Sequence, residues 1–461
     1  MKKTQKTVII YAKLSESVMK NETFIFQNIH FGDIKGIEMT KFEELSKTER
    51  EKLLSELLTK YDEYKSKGLH LDLSRGKPNA TQLDVSNGLL SVDLISDHYA
   101  LDGTDCRNYG MLYGLPEAKK FFAELFELNT EDVMVCGNSS LQLMYDTLAR
   151  AMLFGLYGSL RPWSQEEGLK WICVVPGYDR HFRITELLGF ELVTVRMTKD
   201  GPDMDEVERL VKDPKVKGIW CVPKYSNPTG NTYSDDTVRR LAAMECAAPD
   251  FRIMWDNAYG IHDFDNNGDR LLDIFAEAEK HGNADRVFYY SSTSKITFPG
   301  GGVAIMAASE NNRNQMNKYF GAQTIGYDKI NQIRHLRYFG NVENVREHMN
   351  KLGRMIKSKF EIVASALSSL DGLGIAEWTM PSGGYFISLD CMEGTARRIY
   401  ELMSDAGVVL TPPGATYPYG TDPQDSNLRI APTYPTDDEL KVACEILALT
   451  VKIASLEKLK G

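Results

Sequence analysis

Between about residue 132 and residue 290, short apolar runs alternate with stretches of helical period, and this alternation constrains the fold more than any other feature of the chain. Val133 to Cys136, Trp171 to Val175, Glu191 to Val195, Gly218 to Val222, Arg252 to Trp255 and Val287 to Tyr290 read as strands. Leu141 to Phe154, a run ending at Leu188, a segment opening at the acidic Asp203, and residues 235 to 247 read as the helices between them. Strands that are apolar without interruption must be covered on both faces, and a helix between two strands is what a parallel crossover needs. The pattern predicts an α/β fold, a mostly parallel sheet sandwiched by helices.

After about residue 342 the pattern changes. A long helix (Val342 to about Leu370) precedes short strands near Tyr385 to Leu389, Val408 to Leu410 and Leu428 to Ile430. That is the signature of a smaller α+β domain, and at 461 residues two domains are expected. Residues 41 to 66 show the spacing of an amphipathic helix at Phe42, Leu45, Leu53, Leu54, Leu57, Leu58 and Tyr61. The expected organisation is an extension over 1–38, a segment over 39–84 packing with the small domain, a large domain over 85–341 and a small C-terminal domain over 342–461. Met39 stands where a native start would fit.

Composition narrows the function by exclusion. A net charge of -10 argues against a nucleic-acid binder, which carries a basic face. The seven cysteines are scattered, without a C-x-x-C pair, so neither a disulfide framework nor a zinc site is expected and the compartment reads as reducing and cytoplasmic. No run reaches the roughly 18 apolar residues that span a bilayer, and the N-terminus lacks a convincing signal peptide.

In open α/β sheets ligands sit beyond the carboxyl ends of the strands, and there this chain concentrates its polar chemistry. The segments following the predicted strands are Gly137-Asn138-Ser139-Ser140, Pro176-Gly177-Tyr178, Ser226-Asn227-Pro228-Thr229-Gly230, Asp256-Asn257-Ala258-Tyr259 and Ser291-Ser292-Thr293-Ser294-Lys295. Ser139 and Ser140 open a helix whose free N–H groups suit an anion, though a plain N-cap explains them equally well. Lys295, among small hydroxyls and just before Gly300-Gly301-Gly302, has the surroundings of a reactive amine rather than a solvated one, and reads as the holder of a carbonyl cofactor. Asp256 ends an apolar strand and calls for a cation such as a protonated ring nitrogen. At ~3 Å and an effective dielectric near 20 that attraction is worth roughly 5 kcal/mol before desolvation. Asn227 and Tyr259 suit a ring phenolate oxygen, and Tyr178 suits a ring face or an ordinary core position. Arg429 lies in the otherwise apolar Leu428-Arg429-Ile430, where a carboxylate would match its fork and an internal ion pair is the alternative.

Together these segments resemble the fold-type I, pyridoxal-phosphate-dependent aminotransferases of class I, over about residues 70 to 455. Within that group Leu73 to Pro78, Thr293 to Phe298 and Asp328 to His335 are similar to a divergent branch of aspartate aminotransferases. The resemblance implies that Lys295 is the Schiff-base lysine and proton shuttle, that Asp256 pairs with the pyridine nitrogen and that Asn227 and Tyr259 meet its O3′. It also implies that Tyr178 stacks on the ring, that Arg429 binds the substrate α-carboxylate and that Gly76 lies beside the substrate. Tyr109 would reach the cofactor phosphate of a partner subunit, so a homodimer is implied. One position departs: where the family has a phosphate-binding arginine eight residues after the lysine, this chain has Val303. Ser139, Ser140, Ser292, Ser294, Tyr109 or an unplaced cation must then hold the phosphate.

The expected reaction is ping-pong transfer of an amino group between aspartate or glutamate and 2-oxo acids. Lys329 is the expected cation for the side-chain carboxylate, with Arg75, Lys77 and Arg334 as rivals. The alternatives are an aminotransferase for aromatic or small neutral amino acids, a pyridoxal-phosphate-dependent lyase and, more distantly, a cofactor-sensing transcription regulator. The acidic charge and the lack of a convincing helix-turn-helix ahead of Leu71 count against the last. A plain nucleotide-binding α/β protein is a weaker competitor, since this chain lacks a G-x-G-x-x-G motif and Lys295 would then have no role.

Overall fold

Continuously apolar strands frame the molecule. The computed structural model describes residues 40–460; the expectations for residues 1–38 and Met39 lie outside them. In chain order the strands are β1 (Leu71–Asp72), β2 (Val133–Cys136), β3 (Lys170–Val175), β4 (Glu191–Thr198), β5 (Gly201–Pro202), β6 (Val216–Cys221), β7 (Arg252–Asp256), β8 (Val287–Ser292), β9 (Ala304–Ala308), β10 (Ala376–Trp378), β11 (Ile387–Cys391), β12 (Val408–Val409) and β13 (Asn427–Ile430).

Among the described residues, β2-β9-β8-β7-β6-β3-β4-β5 form one eight-stranded sheet. Strands β8, β7, β6, β3 and β4 pair in parallel, and β2 shares their direction because both it and β8 run antiparallel to β9. All residues of β2, β6, β7 and β9 are buried, so both faces are covered. Alternate side chains divide between two cores. Ile172, Val174, Ile219, Ile253 and Trp255 enter one; Trp171, Cys173, Trp220, Met254 and Phe288 enter the other.

The reversed inner strand β9 was not among the strands expected. Only Thr293 to Val303, without an α-helix, separates it from β8. A parallel return needs a crossover of a dozen or more residues, usually through a helix, so this connection turns the chain straight back. The start of the N-terminal helix also differs. Ser46 and Glu49 form a capping box, so the α-helix is Lys47–Lys65 and the preceding turn, Phe42–Glu44, is 3-10.

A third core joins Leu53, Leu57 and Tyr61 of that helix to Phe360 and Val363, to Leu389 and Ile430, and to Leu447 and Val451. It is built from the long helices Val342–Leu367 and Asp437–Lys460, the antiparallel β10-β11-β13 sheet and the parallel β1-β12 pair. Tyr61 ties the early helix to this core by donating to the Leu402 carbonyl at 2.8 Å.

Candidate functional site

The co-directional strands bring Cys136, Val175, Cys221, Asp256 and Ser292 to one sheet edge, and a cavity of about 650 Å³ opens there. Ser139, Ser140, Tyr178, Asn227, Asp256, Tyr259, Ser292, Ser294, Lys295, Gly76 and Arg429 all line it. Two expected residues do not. Tyr109 is 80% exposed. Lys329 is buried, its Nζ donating to the Gly110 carbonyl at 3.0 Å, so it anchors the loop that carries Tyr109 and is turned away from the substrate space. Of its rivals, Lys77 packs over the Tyr434 ring at 3.8 Å and only Arg75 faces the cavity, joined there by Arg180.

Lys295 closes the 3-10 turn Thr293–Lys295 directly after β8. Its Nζ lies 4.7 Å from the centre of the Tyr259 ring and 5.9 Å from that of Tyr385. Burial, and then the charge of Lys295, push His262 down to about 3, so this imidazole is neutral at working pH. Burial likewise raises the Tyr259 phenol and pushes Tyr178 up to about 12, leaving both hydroxyls protonated and able to donate.

Asp256 is 4% exposed at the end of β7. His181 Nε2–H donates to its Oδ2 at 2.9 Å, whereas Oδ1 is buried without a partner. An orphaned buried carboxylate oxygen is costly; on a residue that lines the cavity, it fits an N–H from a bound heteroaromatic ring. The His181 ring in turn stacks on Trp220 (centroids 4.4 Å apart, planes at 12°) and meets Tyr178 edge-on at 4.9 Å. Sequence reasoning missed His181. Its signal was position: three residues after Tyr178, it falls in the first turn of the helix Asp179–Leu187 and returns to the same strand-end edge.

The anion end is built from the helix Ser140–Phe154. Ser139 is its N-cap but makes no side-chain capping bond, so its hydroxyl and the first-turn N–H groups are available to a ligand. Ser292 donates to Ser294 Oγ at 3.0 Å, and Ser294 reaches the Asn138 carbonyl at 3.4 Å, gathering the hydroxyls at one end of the cavity. Val303 is 1% exposed and belongs to the same buried core as Ile305 and Ile333, while its N–H donates to Thr293 Oγ1 at 2.9 Å. The segment Asp328 to His335 supplies support: Asn331 Nδ2 donates to the Gly301 and Gly302 carbonyls, each at 2.9 Å, and His335 Nε2 takes the hydroxyls of Thr293 and Thr297 at 3.2 and 3.0 Å.

On the opposite wall Arg429, in β13, has Nη1 3.1 Å from Asp179 Oδ1 and 3.4 Å from Asn227 Oδ1, and Nη2 3.3 Å from Thr411 Oγ1. Gly76 permits the close approach there, since a Cβ would meet the Phe386 ring at 2.2 Å. The chemistry on hand is thus a lysine amine, a carboxylate for a ring nitrogen, hydroxyl donors, an anion cradle and a guanidinium for a carboxylate.

The family model described as aspartate amino-transferase matches residues 45–461. An aspartate aminotransferase of Corynebacterium glutamicum is 48% identical over 399 residues, covering 86% of this chain and 92% of that protein. The crystal structure of an aspartate transaminase from the same species superposes with a TM-score of 0.90 at 45% identity, covering 92% of this chain and 100% of the other. The fold alone is shared with the α-aminoadipate aminotransferase LysN of Thermus thermophilus, complexed with N-(5′-phosphopyridoxyl)-L-leucine (TM-score 0.68, 20% identity, covering 91% and 97%). This chain belongs to the aspartate aminotransferase family.

Proposed function

We propose that the protein uses pyridoxal 5′-phosphate to transfer amino groups, in ping-pong fashion, between aspartate or glutamate and their 2-oxo acids. One observation carries the reading: Lys295, the half-satisfied Asp256 and the Arg429 guanidinium line a single cavity. The donor set fits the cofactor. Asp256 Oδ1 would take the ring N–H, Asn227 and Tyr259 the phenolate oxygen, Tyr178 the ring face, and Ser139, Ser140, Ser292 and Ser294 the phosphate. When bound, the cofactor supplies an electron sink for the carbanion formed at the substrate Cα.

The protein's own part is position and charge. Arg429 holds the α-carboxylate, which fixes the Cα–H bond relative to Lys295. Lys295 Nζ would take the proton from Cα and hand it to the carbonyl-derived carbon of the cofactor, C4′, and in the second half-reaction carry it the opposite way. His181 holds Asp256 through Oδ2, leaving Oδ1 for the ligand. With Lys329 bonded to Gly110, the distal carboxylate of a dicarboxylic substrate is left to Arg75 or Arg180.

Further parts of the reading are a cytoplasmic homodimer in which the exposed Tyr109 reaches the partner's cofactor phosphate, and a division into a large cofactor-binding and a small domain with residues 39–84 belonging to the latter. Sedimentation of an active strict monomer would remove the dimer.

The deciding experiment is spectroscopic. The purified protein is expected to carry a cofactor absorbance band that shifts on adding aspartate and is lost, with at least ~10³-fold of the activity, in Lys295→Ala. The amino form of the loaded enzyme is then offered oxaloacetate, 2-oxoglutarate, pyruvate and phenylpyruvate. Preference for the two diacids supports the reading, and equal use of pyruvate or phenylpyruvate sinks it in favour of a neutral or aromatic substrate.

A further inference from the structure

Arg429 does not present an open fork. Asn227 and Thr411 are neutral partners that a bound carboxylate could share; Asp179 is a rival anion. Both members of the pair line the cavity, with the Arg429 side chain 10% exposed and that of Asp179 35% exposed. Arg429 Nε is buried and has no partner of its own, so the guanidinium is held at its tips rather than locked along its length.

The position of Asp179 makes the contact breakable. Asp179 is the first residue of the nine-residue helix Asp179–Leu187, so its backbone is fixed while its side chain can turn. Its other oxygen, Oδ2, stands 3.9 Å from Arg180 Nε, whose side chain is 64% exposed. A carboxylate that leaves Arg429 therefore keeps a cation within reach and is not stranded unpaired. With Nε buried, a substrate carboxylate that binds bidentately is left the end-on fork of Nη1 and Nη2, and Nη1 is the nitrogen that Asp179 holds.

We propose that Asp179 is a resident competitor for the substrate carboxylate on Arg429, displaced toward Arg180 when substrate binds and returning when product leaves. The inference rests on reading Arg429 as the α-carboxylate site. Its physical basis is population: affinity for an incoming carboxylate is reduced by the fraction of time the guanidinium is already taken. Asp179 is thus a positioning residue that sets how tightly the site holds acids, and it favours release of the oxo acid after each half-reaction.

The test uses the cofactor-loaded enzyme and succinate, a dicarboxylate without an amino group, titrated by calorimetry. Asp179→Asn is expected to bind succinate about 10-fold more tightly, within the usual range of coupling free energies, and to lower KM for aspartate by more than it changes kcat. Asp179→Glu, which keeps a carboxylate, is expected to stay near the natural protein. Unchanged or weaker succinate binding by Asp179→Asn overturns the proposal. Arg429→Lys separates the two levels. If it loses succinate binding while Asp179→Asn fails to tighten it, only the competitor role falls. If Arg429→Lys leaves binding unchanged, the carboxylate site lies elsewhere and the proposal falls with it.

Discussion

Two aspartates stand at opposite ends of β7, and they are treated differently. Asp250, just before the strand, is 1% exposed and fully bonded. Its Oδ1 accepts from Lys217 Nζ at 2.9 Å, and its Oδ2 accepts from Ser159 Oγ and Trp163 Nε1, each at 2.7 Å. Burial works to raise this carboxyl, but the bonds from Lys217, Ser159 and Trp163 outweigh it and hold it below the usual range. Asp256, at the other end, is buried almost as deeply yet has one oxygen bonded to His181 and one with no partner. A buried charge with complete partners belongs to stability; one left half-satisfied at the edge of a cavity belongs to a ligand.

The comparison can be broken at either end. Asp256→Ala is expected to lower the transamination rate by ~10³-fold, equivalent to about 4 kcal/mol of transition-state stabilisation, with a change in thermal midpoint of only a few degrees. Stopped-flow absorbance and calorimetry on one sample check both halves, and a protein that unfolds instead contradicts the assignment. Asp250→Ala is expected to do the reverse. It strands Lys217 and should cost about 3–5 kcal/mol in urea unfolding, with activity per folded molecule retained.

Buried bases extend the contrast to acid. His335 is fully buried, and burial pushes it down to about 4. Its folded pKa lies below the ordinary 6.5, so the unfolded chain binds the extra proton between those values. Stability is therefore present above pH 6.5 and falls as pH drops toward 4, by about 2 kcal/mol between pH 7 and 5. His335→Gln should flatten that slope in urea titrations at the two pH values, and an unchanged slope would assign the acid sensitivity to other groups.

The smallest effect sits in the third core. Lys452 is 8% exposed, its Nζ donates to Ser369 Oγ at 3.2 Å, and burial, helped by the charge of Lys60, brings it down to about 8. Here too the unfolded state binds more protons, between pH 8 and 10.5, so stability rises with pH across that window. Lys452→Met is expected to stabilise by about 1–2 kcal/mol at pH 7, and the gain should fade as pH rises toward 10.5. A gain independent of pH would mean that packing, rather than charge, is responsible.

Much of the site was legible because local pattern and topology coincide. Continuous apolar runs ending in polar residues identify strand ends, and parallel strands carry those ends to one edge, so Ser139, Tyr178, Asn227, Asp256 and Lys295 could be grouped before any coordinate. His181, Asp179 and Arg180 were not legible. They lie inside a helix whose polar residues look like a solvated face, and their roles depend on which way that helix points. Lys329 shows the opposite failure: a cation in a suggestive segment was expected in the substrate space, and the fold turned it to a backbone carbonyl.

What the sequence determined by itself is set by short-range physics: the alternation of strand and helix, the polar segments that end the strands, and the small-residue surroundings of Lys295. What only the tertiary structure decided are matters of side-chain geometry across long chain separations. They include the reversal of β9, the burial of Val303 in the core, the free oxygen of Asp256 and the hold of Asp179 on Arg429. Periodicity fixes which residues face inward, but whether a buried charge finds all of its partners depends on elements up to 250 residues apart, as with Arg429 and Asp179, and no local pattern encodes that.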